Sequence, residues 1–207
     1  MRSRYALEHG GPKRIEIRWG RRQDVTVVFD EVTVASFDRS SLGFGAGVAL
    51  PDGTKLFLER IPRRWWSIGM RDELLVERQG TPVPGSDGDP RTIARRAGRL
   101  VILFGLLMGL GGTWFIFTRG GAPLLALLAL EGIVLVPLGL AAAVGLRFPI
   151  GAAAFVLVAE PVLGLAMGGE LKPGGLVIRA LLVAHLLRSW RRMAAPVRPS
   201  PGLEPSA

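Results

Sequence analysis

The sequence contains no cysteine, and this absence excludes disulfides, thiolate metal sites and cysteine nucleophiles together. Histidine is scarce. His9 and His185 are the two in the chain, too few for a histidine-rich metal centre within one protomer. The motifs G-x-x-x-x-G-K-[ST], H-E-x-x-H and G-x-S-x-G are missing, as is a G-x-G-x-x-G that opens a helix after a strand. Residues 100–188 contain no serine, so a serine intramembrane protease would lack its nucleophile. The sequence therefore implies no catalytic residues, no cofactor and no metal ligands. Lysine is rare as well: Lys13, Lys55 and Lys172 are three of the 26 basic residues. With so much Ala, Gly and Pro, that arginine bias has the composition of a GC-rich bacterial genome.

Charge is missing from the middle of the chain. Residues 1–99 hold 18 of the 26 basic and 13 of the 17 acidic groups, whereas residues 100–187 hold four and three. A chain that is 49% hydrophobic and 21% charged, with its charge segregated in this way, is neither a single soluble globule nor a disordered polymer. The net charge of +9 invites a nucleic-acid reading. Most of the excess flanks the apolar block, however, where membrane topology explains it more simply. The start, Met1 to His9, has no apolar core of signal-peptide length. The N-terminal region is thus expected to stay on the side where it is made.

Residues 14–79 read as strands. Arg14-Ile-Glu-Ile-Arg-Trp19 alternates apolar with charged residues, the period-2 pattern of a half-buried strand. Asp24 to Phe29 and Glu31 to Phe37 follow. Val48 to Glu59 forms a hairpin around Pro51-Asp52-Gly53, and Trp65-Trp66-Ser-Ile-Gly and Glu73 to Glu77 add two more strands. About seven short strands at roughly ten-residue spacing predict an antiparallel sandwich or barrel. Gly80-Thr-Pro-Val-Pro-Gly-Ser-Asp-Gly-Asp-Pro90 reads as a linker, and Asp89-Pro90 as a helix start. The helix runs through Arg91, Arg95, Arg96 and Arg99 into nineteen uncharged residues, 100–118, long enough to cross a bilayer.

Three further spans are expected. One runs from Pro123 to Leu146, one from Phe148 to Gly168, and one from Gly174 to about Trp190. The last is interrupted by Arg179 and His185, but without it the arginine-rich tail would lie outside, against the positive-inside tendency. Both termini are then cytoplasmic. The fold class is α+β in two parts, a small antiparallel β-sandwich or barrel followed by a four-helix transmembrane bundle. The boundaries are an N-terminal tail (1–11), a soluble β-domain (12–85), a linker with the basic helix start (86–99), the membrane domain (100–192) and a disordered tail (193–207).

Ionisable groups inside the apolar block carry the most information, because each costs about 2.5–3.5 kcal/mol to insert and usually faces a partner or a cavity. At 1.5 Å per residue, Glu131 and Glu160 each lie ~12 Å below the outer surface and Arg179 ~8 Å below it. The long arginine side chain can span that difference. Glu131, Glu160 and Arg179 are thus expected to form one cluster, with His185 lower in the same helix. Two carboxylates facing one guanidinium leave an excess negative charge, which a proton or a bound ion would offset. The cluster reads as a structural ion pair, as a conducting or proton-handling site, or as an oligomer contact. Small residues at packing spacing (Gly105/Gly109, Gly139 with Ala143, Gly164/Gly168) suit close helix approach. Pro137 and Pro161 fall inside the spans near the carboxylates. In the β-domain, Arg63-Arg64-Trp65-Trp66 mixes cations with aromatics and reads as core tryptophan, as a lipid-headgroup or interface contact, or as a nucleic-acid platform.

The linker, the four apolar spans and the closing Gly174 to Met193 together resemble a group of uncharacterised bacterial membrane proteins. These share a D-G-x-P-[LV]-P-G-S-x-x-D-P linker, with Gln79-Gly80 here in place of Asp-Gly. The resemblance covers roughly residues 14–193. It implies the two-part architecture and no catalytic or binding residues. Three functions are open at this point. The first is a non-enzymatic cytoplasmic-membrane protein whose β-domain recruits or scaffolds a protein partner or a second copy, with the lipid bilayer as its other partner and no nucleic acid. The second is a small transporter or ion-permeation subunit using Glu131 and Glu160. The third is an intramembrane enzyme.

Overall fold

A computed structural model of the chain describes residues 2–19, 24–38, 40–62, 72–119, 123–168 and 173–194. The chain divides into two compact units, one built from residues 1–92 and one from Ile93–Ala194.

Among the described residues of the first unit, eight strands form two antiparallel sheets. Strands β1 (Arg2–Tyr5), β2 (Ile15–Arg18), β3 (Val25–Phe29) and β4 (Val32–Phe37) make one, in that order. Strands β5 (Ala46–Ala49), β6 (Lys55–Ile61), β7 (Glu73–Arg78) and β8 (Thr81–Pro82) make the other. Each sheet is a meander whose last hairpin closes through a two-residue turn, Asp30-Glu31 in the first and Gln79-Gly80 in the second. Both residues of each turn have positive φ (46° and 70°; 50° and 77°), the backbone of a type I′ turn, whose twist matches that of the flanking strands. The alternation seen in the sequence sets the faces. Ile15, Ile17, Val25, Val27 and Phe29 from one sheet, and Leu56, Leu58, Leu74 and Val76 from the other, enter a single buried cluster.

Two segments differ from the sequence expectation. The stretch read as an N-terminal tail contains β1, which pairs with β2 in the register Arg2↔Arg18 and Tyr5↔Ile15. The stretch read as a linker is a packed part of the first unit. Thr81 and Pro82 extend the second sheet against Arg78 and Glu77, and Val83 and Ser86 are fully buried. The Leu74 amide donates to Asp87 Oδ2 at 2.9 Å, and Ser86 Oγ donates to the Val76 carbonyl at 3.4 Å. Asp89 then caps the first helix. One of its oxygens accepts the Arg91 amide at 3.0 Å, and the other accepts the Gly85 amide at 2.8 Å and the Thr92 hydroxyl at 3.0 Å. Pro90 follows at the first helical position, where its missing N–H costs nothing.

Four helices follow: α1 (Pro90–Arg119), α2 (Pro123–Ala143), α3 (Phe148–Ala166) and α4 (Pro173–Ala194). Three of them, α1 to α3, are long and apolar enough to cross a membrane. The expected fourth span is a helix but does not meet that description, because Arg179, His185, Arg188, Arg191 and Arg192 interrupt its apolar residues. All four helices contribute to one buried cluster: Ala97 and Val101, Leu135 and Ala142, Ile150 and Leu157, Leu182 and Leu186. Gly98 of α1 lies so close to α2 that a Cβ there would stand 2.5 Å from the Gly139 carbonyl oxygen. Gly109 meets Gly132 in the same way. Gly98, Gly105, Gly109, Gly132 and Gly139 therefore form a helix-packing seam between α1 and α2, whereas a Cβ on Gly168, just past α3, would meet nothing within 4 Å.

The first sheet carries an acid-sensitive device. The Glu16 carboxylate accepts from Arg2 Nη2 at 2.5 Å, Arg4 Nε at 2.9 Å and Arg18 Nε at 2.5 Å. These three guanidinium groups pull its pKa down to about 2, the bond from Arg2 counting most. Because the folded value lies below the ordinary 4.5, the stabilisation is complete above about pH 4.5 and disappears as pH falls through about 2. Glu16→Gln should therefore speed hydrogen exchange of the β1 and β2 amides in the full-length protein at neutral pH. The gap from the wild type should close progressively toward pH 2, and a gap independent of pH would contradict this account.

Candidate functional site: a guanidinium shared by two carboxylates

Helix geometry brings the three ionisable groups of the apolar region together. Glu131 stands eight residues into α2, Glu160 six before the end of α3, and Arg179 six into α4. At 1.5 Å per residue these positions lie about 12, 9 and 9 Å from the corresponding helix ends, at one level of an up-and-down arrangement. Arg179 meets Glu131 as a fork: Nη1 donates to Oε1 at 2.9 Å and Nη2 donates to Oε2 at 2.7 Å. Nη1 also lies 2.7 Å from Glu160 Oε2. The Glu131 side chain is 1% exposed, that of Arg179 10% and that of Glu160 14%. One guanidinium therefore ties three helices, in the planar bidentate geometry that arginine provides and lysine does not.

The surroundings suit a closed cluster. Leu135, one turn after Glu131, and Leu157, one turn before Glu160, are both buried. Pro137 and Pro161 are accommodated without breaking α2 or α3. Pro161 follows Glu160 directly, and its ring cannot donate to the carbonyl four residues back.

His185 does not belong to this level. Six residues beyond Arg179, it is displaced by about 9 Å along the helix and by about 240° around it. Its carbonyl accepts the Ser189 hydroxyl at 2.9 Å. The Arg63-Arg64-Trp65-Trp66 segment, with the strand expected at Trp65-Trp66, lies outside the described residues. Among those described, no group of three or more His, Asp or Glu side chains is arranged to hold a metal ion. The Glu16 cluster with Arg2, Arg4 and Arg18 escapes a reading of the sequence, because its assembly needs the β1–β2 pairing. The signal available was the alternation Arg2-Ser-Arg-Tyr5, which matches that of Ile15-Glu-Ile-Arg18.

No protein-family model, curated protein or solved structure matches the chain, so the roles of these residues rest on their chemistry alone. That chemistry is electrostatic. A buried pair is costly to break because the surviving charge stays in a low-dielectric environment. Arg179→Ala should destabilise the helical unit by about 3–5 kcal/mol, the range for stranding one partner of a buried pair. Arg179→Lys, which keeps the charge and loses the fork, should cost clearly less. Thermal unfolding of the detergent-purified protein measures both, and equal losses would contradict the shared-guanidinium arrangement.

Proposed function

We propose that this is a multi-pass protein of the bacterial cytoplasmic membrane, with both termini cytoplasmic. On this reading α1 to α4 form a four-helix transmembrane bundle, and the β-unit is a sandwich that recruits or scaffolds a protein partner without performing a reaction. The observation that carries the reading is the closure of Arg179 on Glu131 and Glu160. The cluster removes the main obstacle to placing α4 among the spans, since the Arg179 charge meets carboxylates instead of hydrocarbon. The exposed apolar side chains of α4, Val177, Ile178 and Leu181 among them, then meet lipid alongside Leu107, Leu110 and Trp114 of α1. Arginines before the first span and after the fourth orient the bundle. A closed ion pair also suits a fastener better than a permeation path, where charges must exchange partners with the passing ion.

Recruitment finds support in the sheets. Strand β4, Val-Thr-Val-Ala-Ser-Phe, ends the first sheet in the strand order and carries no charge. Natural proteins usually place charged residues on such an edge to block strand addition, and an uncharged edge suits an added strand from a partner.

Reporter fusions at Ala122 and at the C-terminus should fall on opposite sides of the membrane, since three crossings separate them; the same side for both would remove the four-span topology. In liposomes the purified protein should pass no more protons or monovalent cations than protein-free vesicles. A flux that Glu131→Gln or Glu160→Gln abolishes would establish the permeation reading instead.

A further inference from the structure

The face of the first sheet turned away from the core is unusual in its order. Reading across the strands in register, one row is Arg2, Arg18, Thr26 and Ser36, and the next is Arg4, Glu16, Val28 and Thr33. Two arginines directly opposite on neighbouring strands repel, and such a pair destabilises a sheet. The repulsion is offset by Glu16, whose carboxylate is taken by Arg2, Arg4 and Arg18 at 2.5–2.9 Å. Glu16 itself is 10% exposed, whereas each of the three arginine side chains is 54–56% exposed. The buried carboxylate thus holds three guanidinium groups in place, with much of each still open to solvent. The first row presents donors from edge to edge, two guanidinium groups and two hydroxyls, with no carboxylate in the row. Among the described residues, the corresponding face of the second sheet carries Lys55 with Glu59, Glu73 and Glu77.

We propose that this row is a docking face for the phosphate groups of anionic phospholipids. Guanidinium forks match phosphate oxygens bidentately. Three of them held open on a flat sheet suit an array of headgroups better than a single enclosed ion. The inference rests on the membrane reading above, which supplies the lipid surface. The three solvent-open arginines make the first sheet's face the one matched in charge to an anionic bilayer.

The absence of cysteine makes single-site labelling direct. Ser36→Cys places a fluorophore on the docking face, and Ala49→Cys, exposed on the far face of the second sheet, serves as the control. The labelled full-length protein is incorporated into nanodiscs of phosphatidylcholine with or without phosphatidylglycerol, with a quencher on the headgroups. The label at 36 should be quenched more strongly than the label at 49 when phosphatidylglycerol is present, and the difference should vanish in pure phosphatidylcholine. Replacing Arg2 and Arg18 by Gln should lower the docked-to-free ratio roughly 30-fold, the factor that about 1 kcal/mol per arginine amounts to. High salt should release the wild-type protein in the same way without any substitution. Equal quenching at both positions in the anionic discs would overturn the proposal while leaving the membrane reading intact. A chain that stays out of the discs would overturn both. If inorganic phosphate or a single-stranded oligonucleotide alters the label at 36 in neutral discs, with the same arginine dependence and with no added effect of phosphatidylglycerol, the row serves a soluble anion and lipid docking is wrong.

Discussion

The helical unit depends on one constraint: a charge placed in an apolar interior must find its opposite. Arg179 meets that constraint twice over, through a fork to Glu131 and a further contact with Glu160. The consequences extend beyond the three residues. The fork sets the rotation of α4 relative to α2, and the contact with Glu160 fixes α3 at the same level. Beside the paired guanidinium, α4 exposes the apolar side chains of Leu176, Val177, Ile178 and Leu181. Elsewhere the bundle relies on small residues, with Gly98 against Gly139 and Gly109 against Gly132, where close backbone approach replaces side-chain bulk.

The β-unit uses the same electrostatic logic in a wetter setting. Glu16 organises Arg2, Arg4 and Arg18 on an open sheet face, where each pair alone would be worth little. What it contributes is geometry, with three cations held where a flexible surface would let them spread. The end of the first unit is equally ordered. Asp89 receives the amides of Gly85 and Arg91 and the hydroxyl of Thr92, so the turn before α1 and the first turn of α1 share one carboxylate. The conformation leading into the first helix is thereby specified by hydrogen bonds.

The two-part layout was legible because it follows from periodicity: strands alternate, and spans are long and uncharged. The Glu131, Glu160 and Arg179 cluster was legible for a related reason, since depth along a helix is simple arithmetic once the topology is assumed. The parts that escaped involve partners distant in sequence. Strand β1 is four residues long, too short for its alternation to be distinctive without β2 beside it. The segment Gly80 to Pro90 uses the residue types of a flexible linker, and its strand pairing, its hydrogen bonds and the burial of Val83 and Ser86 mark it as packed structure. The expected fourth span fell short at α4, because Arg179, His185, Arg188, Arg191 and Arg192 lower its apolarity. His185 stands six residues beyond Arg179 on α4, lower in the helix, as its place in the sequence implies.

The central claim, that Arg179 and Glu131 stabilise the helical unit through each other, is tested most directly by a double-mutant cycle. Reversible unfolding of the full-length protein would be measured for the wild type, Glu131→Gln, Arg179→Gln and the double substitution. Coupled residues of one buried network give interaction energies of about 0.5–3 kcal/mol, and a value toward the upper end is predicted, with the double variant losing much less than the two single losses combined. Losses that add to within about 0.5 kcal/mol would show that the two side chains do not act on each other, and the account of the bundle built on them would be wrong.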